Sequence, residues 1–381
     1  MPSDALPEYR VKARNTSSTS ENAIHHDDVA RRYGFAAALV PGITLYAYLT
    51  HPIVEALGPA WLSRGTVSVR FVKPVHEGEE LTVTGAVTER TTAGITASVT
   101  GRTAAGDCVV ATVTLPEYRV KVSNTSSTSE NLIHSDETAR RYGFAGALVP
   151  GVTLYAYVTR PIVEAFGPAW LARGTANVKL VKPVHEGEEL TVTGSIGERD
   201  VSGVTATVTG RTGSGECVVA SVTLPAGSPT PVNPALYPAA PLPAERPPVS
   251  RDHLAKLEVL GAPEALYDEA CAAEYVERVS DTLPVYQGAA AWVHPAFFLQ
   301  QANRALRDNV QVSTWIHVGS VVRHLGGARL GAHLATRGRV RSVFEKKGRQ
   351  MVELDLLVVA GPSARPAAHI RHTAIYRLSP P

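Results

Sequence analysis

Cysteine is scarce: the 381 residues hold only Cys108, Cys217 and Cys271. Three thiols so far apart can neither staple a small scaffold nor furnish a tetrahedral zinc site, so a reducing, cytoplasmic setting is expected. Charge of one sign is also lacking. Lys and Arg total 37 against 35 Asp and Glu, with a formal net charge of +2. That balance leaves no basic arm for nucleic acid and points to small molecules or proteins as partners. No apolar run approaches the roughly 20 residues that span a bilayer. The opening MPSDALPEYRV has no basic stretch followed by an apolar one, so neither a membrane segment nor an export signal is expected. Gly-rich phosphate loops, metal-spaced His and carboxylate clusters and nucleophile elbows are missing as well, and no metal site is implied.

What the chain does have is a repeat. LPEYRVKARNTSSTSEN at Leu6 returns as LPEYRVKVSNTSSTSEN at Leu115, and the spacing stays constant through Thr223. Most paired positions are identical, which marks a duplicated domain. The second copy gives way to PAGSPTPVNPALYPAAPLPAERPPVS, which cannot pair into a sheet and should run extended. The expected division is a first copy at 1–115, a second at 116–225, a linker at 226–250 and a third domain at 251–381. No comparable linker parts the two copies, so these two are expected to pack together.

Within the first copy, HDDVARRYGF reads as a short helix capped by Asp27 and ended by Gly34. VPGITLYAYLTHPIVEALG is too long and apolar for a strand and reads as a buried helix, kinked by Pro52 near His51. Four strand patterns follow, TVSVRFVKPV, ELTVTGAVTER, GITASVTGRT and CVVATVTLPE, parted by Gly-bearing turns. A curled antiparallel sheet around one apolar helix buries both, which is the hot-dog arrangement. The third domain repeats this order without the repeat's sequence. The fold class is therefore α+β, with three hot dogs in one chain. Hot dogs pair through their sheets, so one of three is left needing a partner, either copy one joining copy two or copy two joining the third domain, and a homo-oligomer is expected.

The two copies read SENAIHHDDVARRYGFAAALVPG and SENLIHSDETARRYGFAGALVPG. Asn, then His three later, then Asp, Ala, Gly-Phe and a Gly opening the long helix resembles the signature of the MaoC-like (R)-specific enoyl-CoA hydratases. What the resemblance implies is hydration of 2-enoyl thioesters, or dehydration of 3-hydroxyacyl ones. The family's His falls on His25 and His134, its Asn on Asn22 and Asn131, and its oxyanion Gly on Gly42 and Gly151. The family's Asp, two residues before the Asn, falls on Ser20 and Ser129. A hydroxyl cannot be ionised at neutral pH to share in acid-base work. Three readings stay open: Glu21 or Glu130 replaces the missing carboxylate, the His works alone or with Ser, or the pocket binds an acyl thioester without turning it over. No cofactor is implied beyond coenzyme A or a carrier-protein pantetheine as part of the substrate, and an acyl carrier protein is a candidate partner.

Each of these residues also has an ordinary structural use. A His before a short helix commonly ties a loop, Asn22 and Asn131 can do the same, and Asp27 and Asp136 suit helix N-caps. Gly42 and Gly151 are plain helix openers, yet a free N–H at a helix N-terminus is also what a thioester oxyanion needs. His76 and His185 are expected to face solvent. Leu57 and Phe166 differ between the copies, where acyl-chain preference would be set. The third domain has no Asn-to-His signature: His294 opens its helix, His317 sits on a strand, and Gln300 and Gln301 cannot act as bases. It resembles the substrate-holding, non-catalytic half of two-part hot-dog dehydratases. A thioesterase would want a carboxylate on the long helix facing the pocket, where Glu55 and Glu164 lie late.

Overall fold

A computed structural model describes residues 4–91 and 94–378. The outer ends of the expected first and third domains lie outside the described residues. Two compact bodies result, Met1–Glu117 and Tyr118–Pro381. The second copy thus shares its body with the third domain, and not with the first copy.

In the first body the elements are β1 (Tyr9–Lys12), α1 (Asp27–Arg32), α2 (Gly42–Leu57), α3 (Pro59–Arg64), β2 (Thr66–Phe71), β3 (Glu80–Thr91), β4 (Gly94–Thr103) and β5 (Gly106–Pro116). The strands form one antiparallel sheet in the order β1-β3-β4-β5-β2. Alternation sets its inner face: Ala97 and Val99 on β4, and Val109, Ala111, Val113 and Leu115 on β5, are buried. Against that face α2 lays Leu45, Leu49 and Ile53, a stripe of one residue per turn.

Two local expectations need correcting. Helix α2 runs through Pro52, held to the sheet on either side by Leu49 and Ile53. The break comes instead at Gly58, at φ 71° and ψ −176°, where Pro59 starts α3; glycine reaches that conformation cheaply and proline suits a first helical turn. Gly167 adopts the same conformation in the second copy. Asp27 is not a cap, because His26 holds the N-cap position. Its carboxylate accepts from the Ala38 N–H at 2.7 Å.

The second body repeats the plan twice. The second copy supplies β6 (Tyr118–Lys121), α4 (Asp136–Arg141), α5 (Gly151–Arg173), β7 (Thr175–Leu180), β8 (Glu189–Asp200), β9 (Gly203–Thr212) and β10 (Gly215–Pro225). The third domain supplies α6 (Arg251–Ala255), β11 (Glu264–Tyr267), α7 (Glu269–Arg278), α8 (Pro295–Arg307), β12 (Ile316–His324), β13 (Ala332–Lys346), β14 (Arg349–Ala360) and β15 (Arg365–Arg377). All ten strands join in the order β11-β13-β14-β15-β12-β7-β10-β9-β8-β6. From each edge to the middle this is the order of the first body, so two hot dogs meet at the antiparallel seam of β12 with β7, Gly319–Arg323 against Lys179–Thr175.

That seam changes the helix behind it. With α8 against its far side, α5 is buried all round its first turns, with Val152 to Thr159 inaccessible without interruption. The Pro-rich linker is pinned as well: the Tyr237 hydroxyl donates to Asp355 on β14 at 3.1 Å. No helix among the described residues is long and apolar enough to cross a membrane.

Candidate functional site

In the second copy a single 3₁₀ turn, Leu132–His134, follows Asn131. Residues three apart eclipse in such a turn, which sets the Asn131 amide beside the His134 ring. The His134 Nδ1 lies 2.6 Å from the Leu148 carbonyl. A carbonyl only accepts, so Nδ1 carries the ring proton and Nε2 presents its lone pair. The Asn131 Nδ2 stands 3.0 Å from that Nε2. Burial pushes the His134 pKa below its ordinary value against the opposing Leu148 bond, so the ring is a neutral base at pH 7.

Asn131 is itself clamped from the third domain. Its Oδ1 accepts from the Trp315 N–H at 3.1 Å and its Nδ2 donates to the Trp315 carbonyl at 2.9 Å. Both bonds fix the amide's orientation, leaving its second N–H for the histidine. Trp315 lies immediately before β12, so the seam strand carries the clamp.

Between the two hot dogs a cleft of about 110 Å³ opens. Asn131, His134 and Gly151 line it from the second copy, and Asn303, Trp315 and His317 from the third domain. Gly151 is the first residue of α5, where backbone N–H groups have no partner within the helix and the dipole favours negative charge. A side chain there would meet Leu180 at 2.1 Å and the His317 Nδ1 at 2.8 Å, so close approach, not helix initiation, demands glycine. Among the described residues no Asp or Glu lines the cleft, whereas Lys182 and Arg349 both do.

The first copy builds the same loop without the enclosure. His25 Nδ1 keeps its carbonyl, Leu39 at 2.7 Å, but Asn22 stands 3.4 Å from His25 Nε2 and is exposed. A Cβ on Gly42 would meet only the Phe71 ring, at 3.0 Å. A shallow hollow near this loop is lined by Asn22, Ile24, Tyr33 and Phe35, and touches neither His25 nor Gly42.

The remaining candidates fall away from the cleft. Glu130 pairs with Arg246 at 2.7 Å, on an exposed surface. Glu21 is exposed too, and Ser20 is half-buried with its hydroxyl turned to the Asn22 carbonyl at 3.5 Å. The Ser129 hydroxyl is buried, finds no partner among the described residues, and lies off the cleft wall. Asp136 accepts from the Ala147 N–H at 2.8 Å while Ser135 caps α4, so it is no N-cap either. His76 and His185, expected in solvent, are half-buried, each with Nδ1 3.1 Å from a carbonyl, Ala38 or Ala147. They brace the loop that leads into the long helix. Neither Leu57 nor Phe166 reaches a cleft wall. Gln301 is buried against Arg304. Reasoning from sequence missed Trp315, Asn303 and the role of His317, because each matters only through a neighbour more than a hundred residues away.

No family model matches the chain, and no curated protein matches it. Solved structures do. One is a chain from Chloroflexus aurantiacus described as a MaoC domain protein dehydratase, at 12% identity and TM-score 0.47 over 69% of this chain and 94% of that one. A conserved hypothetical protein of Mycobacterium tuberculosis with a double hotdog fold matches at 16% and 0.45, over 68% and 93%. A chain from Novosphingobium aromaticivorans described as a thioesterase matches at 16% and 0.37, over 61% and 88%. At such identities likeness is one of shape, and chemistry has to be read from residues.

Proposed function

We propose that the cleft of the second body binds an acyl thioester and adds or removes water across its α,β carbon bond. One observation carries the reading: a neutral His134, its Nε2 accepting the Asn131 N–H, shares a cleft with Gly151, the first residue of α5, whose N–H has no partner within the helix. In the dehydration direction, the thioester oxygen sits at the Gly151 N–H. His134 Nε2 gives up the Asn131 N–H and takes the α-proton, and the C–H electron pair moves toward that oxygen as an enolate. When the enolate collapses, the β carbon–oxygen bond breaks and the departing hydroxide takes the proton back from His134 as water. One imidazole thus serves as base and then acid, and the carboxylate missing at Ser129 is not needed. Lys182 and Arg349 at the cleft suit the phosphates of coenzyme A or of a carrier-protein pantetheine.

The test is a panel of trans-2-enoyl-CoA esters, followed by loss of enoyl-thioester absorbance. Wild-type turnover abolished by His134→Ala and kept by His25→Ala is the expected result. Release of free thiol would replace the reading with hydrolysis, and tight binding without turnover would replace it with storage.

We further infer that the first copy is completed by a second copy of the same chain. Its strand β2 ends a sheet, whereas its counterpart β7 is paired. The face that β12 and α8 cover in the second body is bare here: Ile43 is 75% exposed against 7% for Val152, and Leu62 67% against 2% for Leu171. A bare edge beside apolar side chains is an association surface. The antiparallel seam that β7 makes is the geometry a twofold axis through β2 would give.

A further inference from the structure

Resting on the acyl-thioester reading of the cleft, we infer that His317, from the third domain, is a second hydrogen-bond donor to the thioester oxygen, acting beside the Gly151 N–H. The third domain then takes part in the chemistry as well as shaping the pocket.

Position comes first. His317 is buried, lines the cleft, and its Nδ1 finds no partner among the described residues. That nitrogen lies 2.8 Å from where a Gly151 side chain would start, at the mouth of α5. An irregularity in the β12–β15 register falls between His317 and Gly319; bulges of this kind re-aim a side chain near a site. Gly319 is required there, since a Cβ would meet the Val178 carbonyl at 2.8 Å across the seam.

The proton's place follows from the groups behind the ring. His317 Nε2 is 2.9 Å from the Ser320 hydroxyl, which is 2.9 Å from His372 Nδ1, and the two rings stack at 4.4 Å. All three residues are buried, and His372 Nε2 has no partner among the described residues. A proton on that Nε2 would be buried with nothing to bind, and so would one on His317 Nδ1 without a ligand, but only the second is met when a ligand oxygen sits in the cleft beside Gly151. His372 therefore keeps its proton on Nδ1 and donates to Ser320. Ser320 in turn donates to His317 Nε2, which leaves the His317 proton on Nδ1, facing the cleft. Burial lowers the His317 pKa to about 4 against the opposing backbone hydrogen bond to Gly319, so the ring polarises the carbonyl as a neutral donor, not as an acid. Gly42 has Phe71, the counterpart of Leu180, as its nearest neighbour and no imidazole among the nearest atoms, so the first copy's site would lack this donor.

The experiment uses the full chain with crotonyl-CoA carrying ¹³C at the thioester carbonyl, reading turnover and the carbonyl stretching band of the bound ester. Asn places an amide N–H near the site of Nδ1. His317→Ala is expected to lower kcat by about 10²-fold or more with little change in KM, and to move the bound carbonyl band back toward its position in water. His317→Asn is expected to restore most of both. Ser320→Ala, which leaves His317 in place, is expected to give an intermediate band shift. If His317→Ala and Ser320→Ala turn over as the wild type does while His134→Ala is dead, the inference fails and the thioester reading stands. A wild type that neither binds nor turns over the ester overturns both.

Discussion

The side-chain amide of Asn131 pairs with both backbone groups of Trp315, accepting its N–H at 3.1 Å and donating to its carbonyl at 2.9 Å. A side chain here does what a neighbouring strand does for a backbone, and in doing so it locks a second-copy residue to the third domain. The His134 lone pair is therefore aimed by a residue it never touches. Replacing Asn131 by Leu leaves two backbone groups buried and unpaired, each costing about 1–3 kcal/mol. The same change at exposed Asn22 should cost under about 0.5 kcal/mol. Urea unfolding of the two variants reads this directly, and equal losses would refute the clamp.

Gly151→Ala and Gly42→Ala form a second matched pair. In the first the new methyl runs into Leu180 and His317, and overpacking of this sort costs about 1–3 kcal/mol. In the second only one ring edge has to give by a few tenths of an ångström. Turnover of enoyl thioester should collapse in Gly151→Ala and persist in Gly42→Ala.

Acid should weaken the second body before it protonates most carboxylates. Burial lowers His317 to about 4 and His324 to about 3, and holds His372 well down as well, helped by the neighbouring His317. A histidine whose folded pKa lies below its unfolded value of about 6.5 takes up a proton on unfolding. Its contribution is full above pH 6.5 and is lost as pH falls toward the folded value, at about 1.4 kcal/mol per unit. Between pH 7 and pH 5, His317 and His324 should each remove about 2 kcal/mol, seen as a lowered urea midpoint. His324→Leu should flatten that slope. Because His134 is also depressed, the acid limb of kcat/KM should fall below pH 6.5, and a limb above it would contradict a buried base.

Ile43→Lys with Leu62→Lys places two charges on the bare apolar face of the first copy. Sedimentation velocity should show the wild type as a dimer and the variant as a monomer, with turnover by the second body unchanged. A wild type that stays monomeric at tens of micromolar would remove the proposed pairing.

The repeat, the long helix and the succession of strands along the chain were legible in the sequence because all three are local patterns of period and spacing, whereas the pairing of β2 with β5 in place of β3 was not. So was the pairing of His134 with Asn131 and Gly151, which the motif holds within twenty-odd residues. Pro52 misled, since burial of Leu49 and Ile53 outweighs one missing hydrogen bond, and the true break lay in the Gly58 backbone. Trp315, His317, Ser320 and His372 were illegible for a different reason. Each is an ordinary residue in a strand pattern, and only the seam of β7 with β12 brings them to the second copy. The grouping of second copy with third domain likewise followed from strand pairing that no composition shift marks.

The linker between β10 and α6, pinned at Tyr237, has one more consequence. It makes the meeting of β7 and β12 an intramolecular event, whose effective concentration is set by the tether and does not change with dilution. Strand β2 has no such tether. Two nearly identical loops in one chain would then answer differently to protein abundance, the second always assembled and the first assembled only above a threshold.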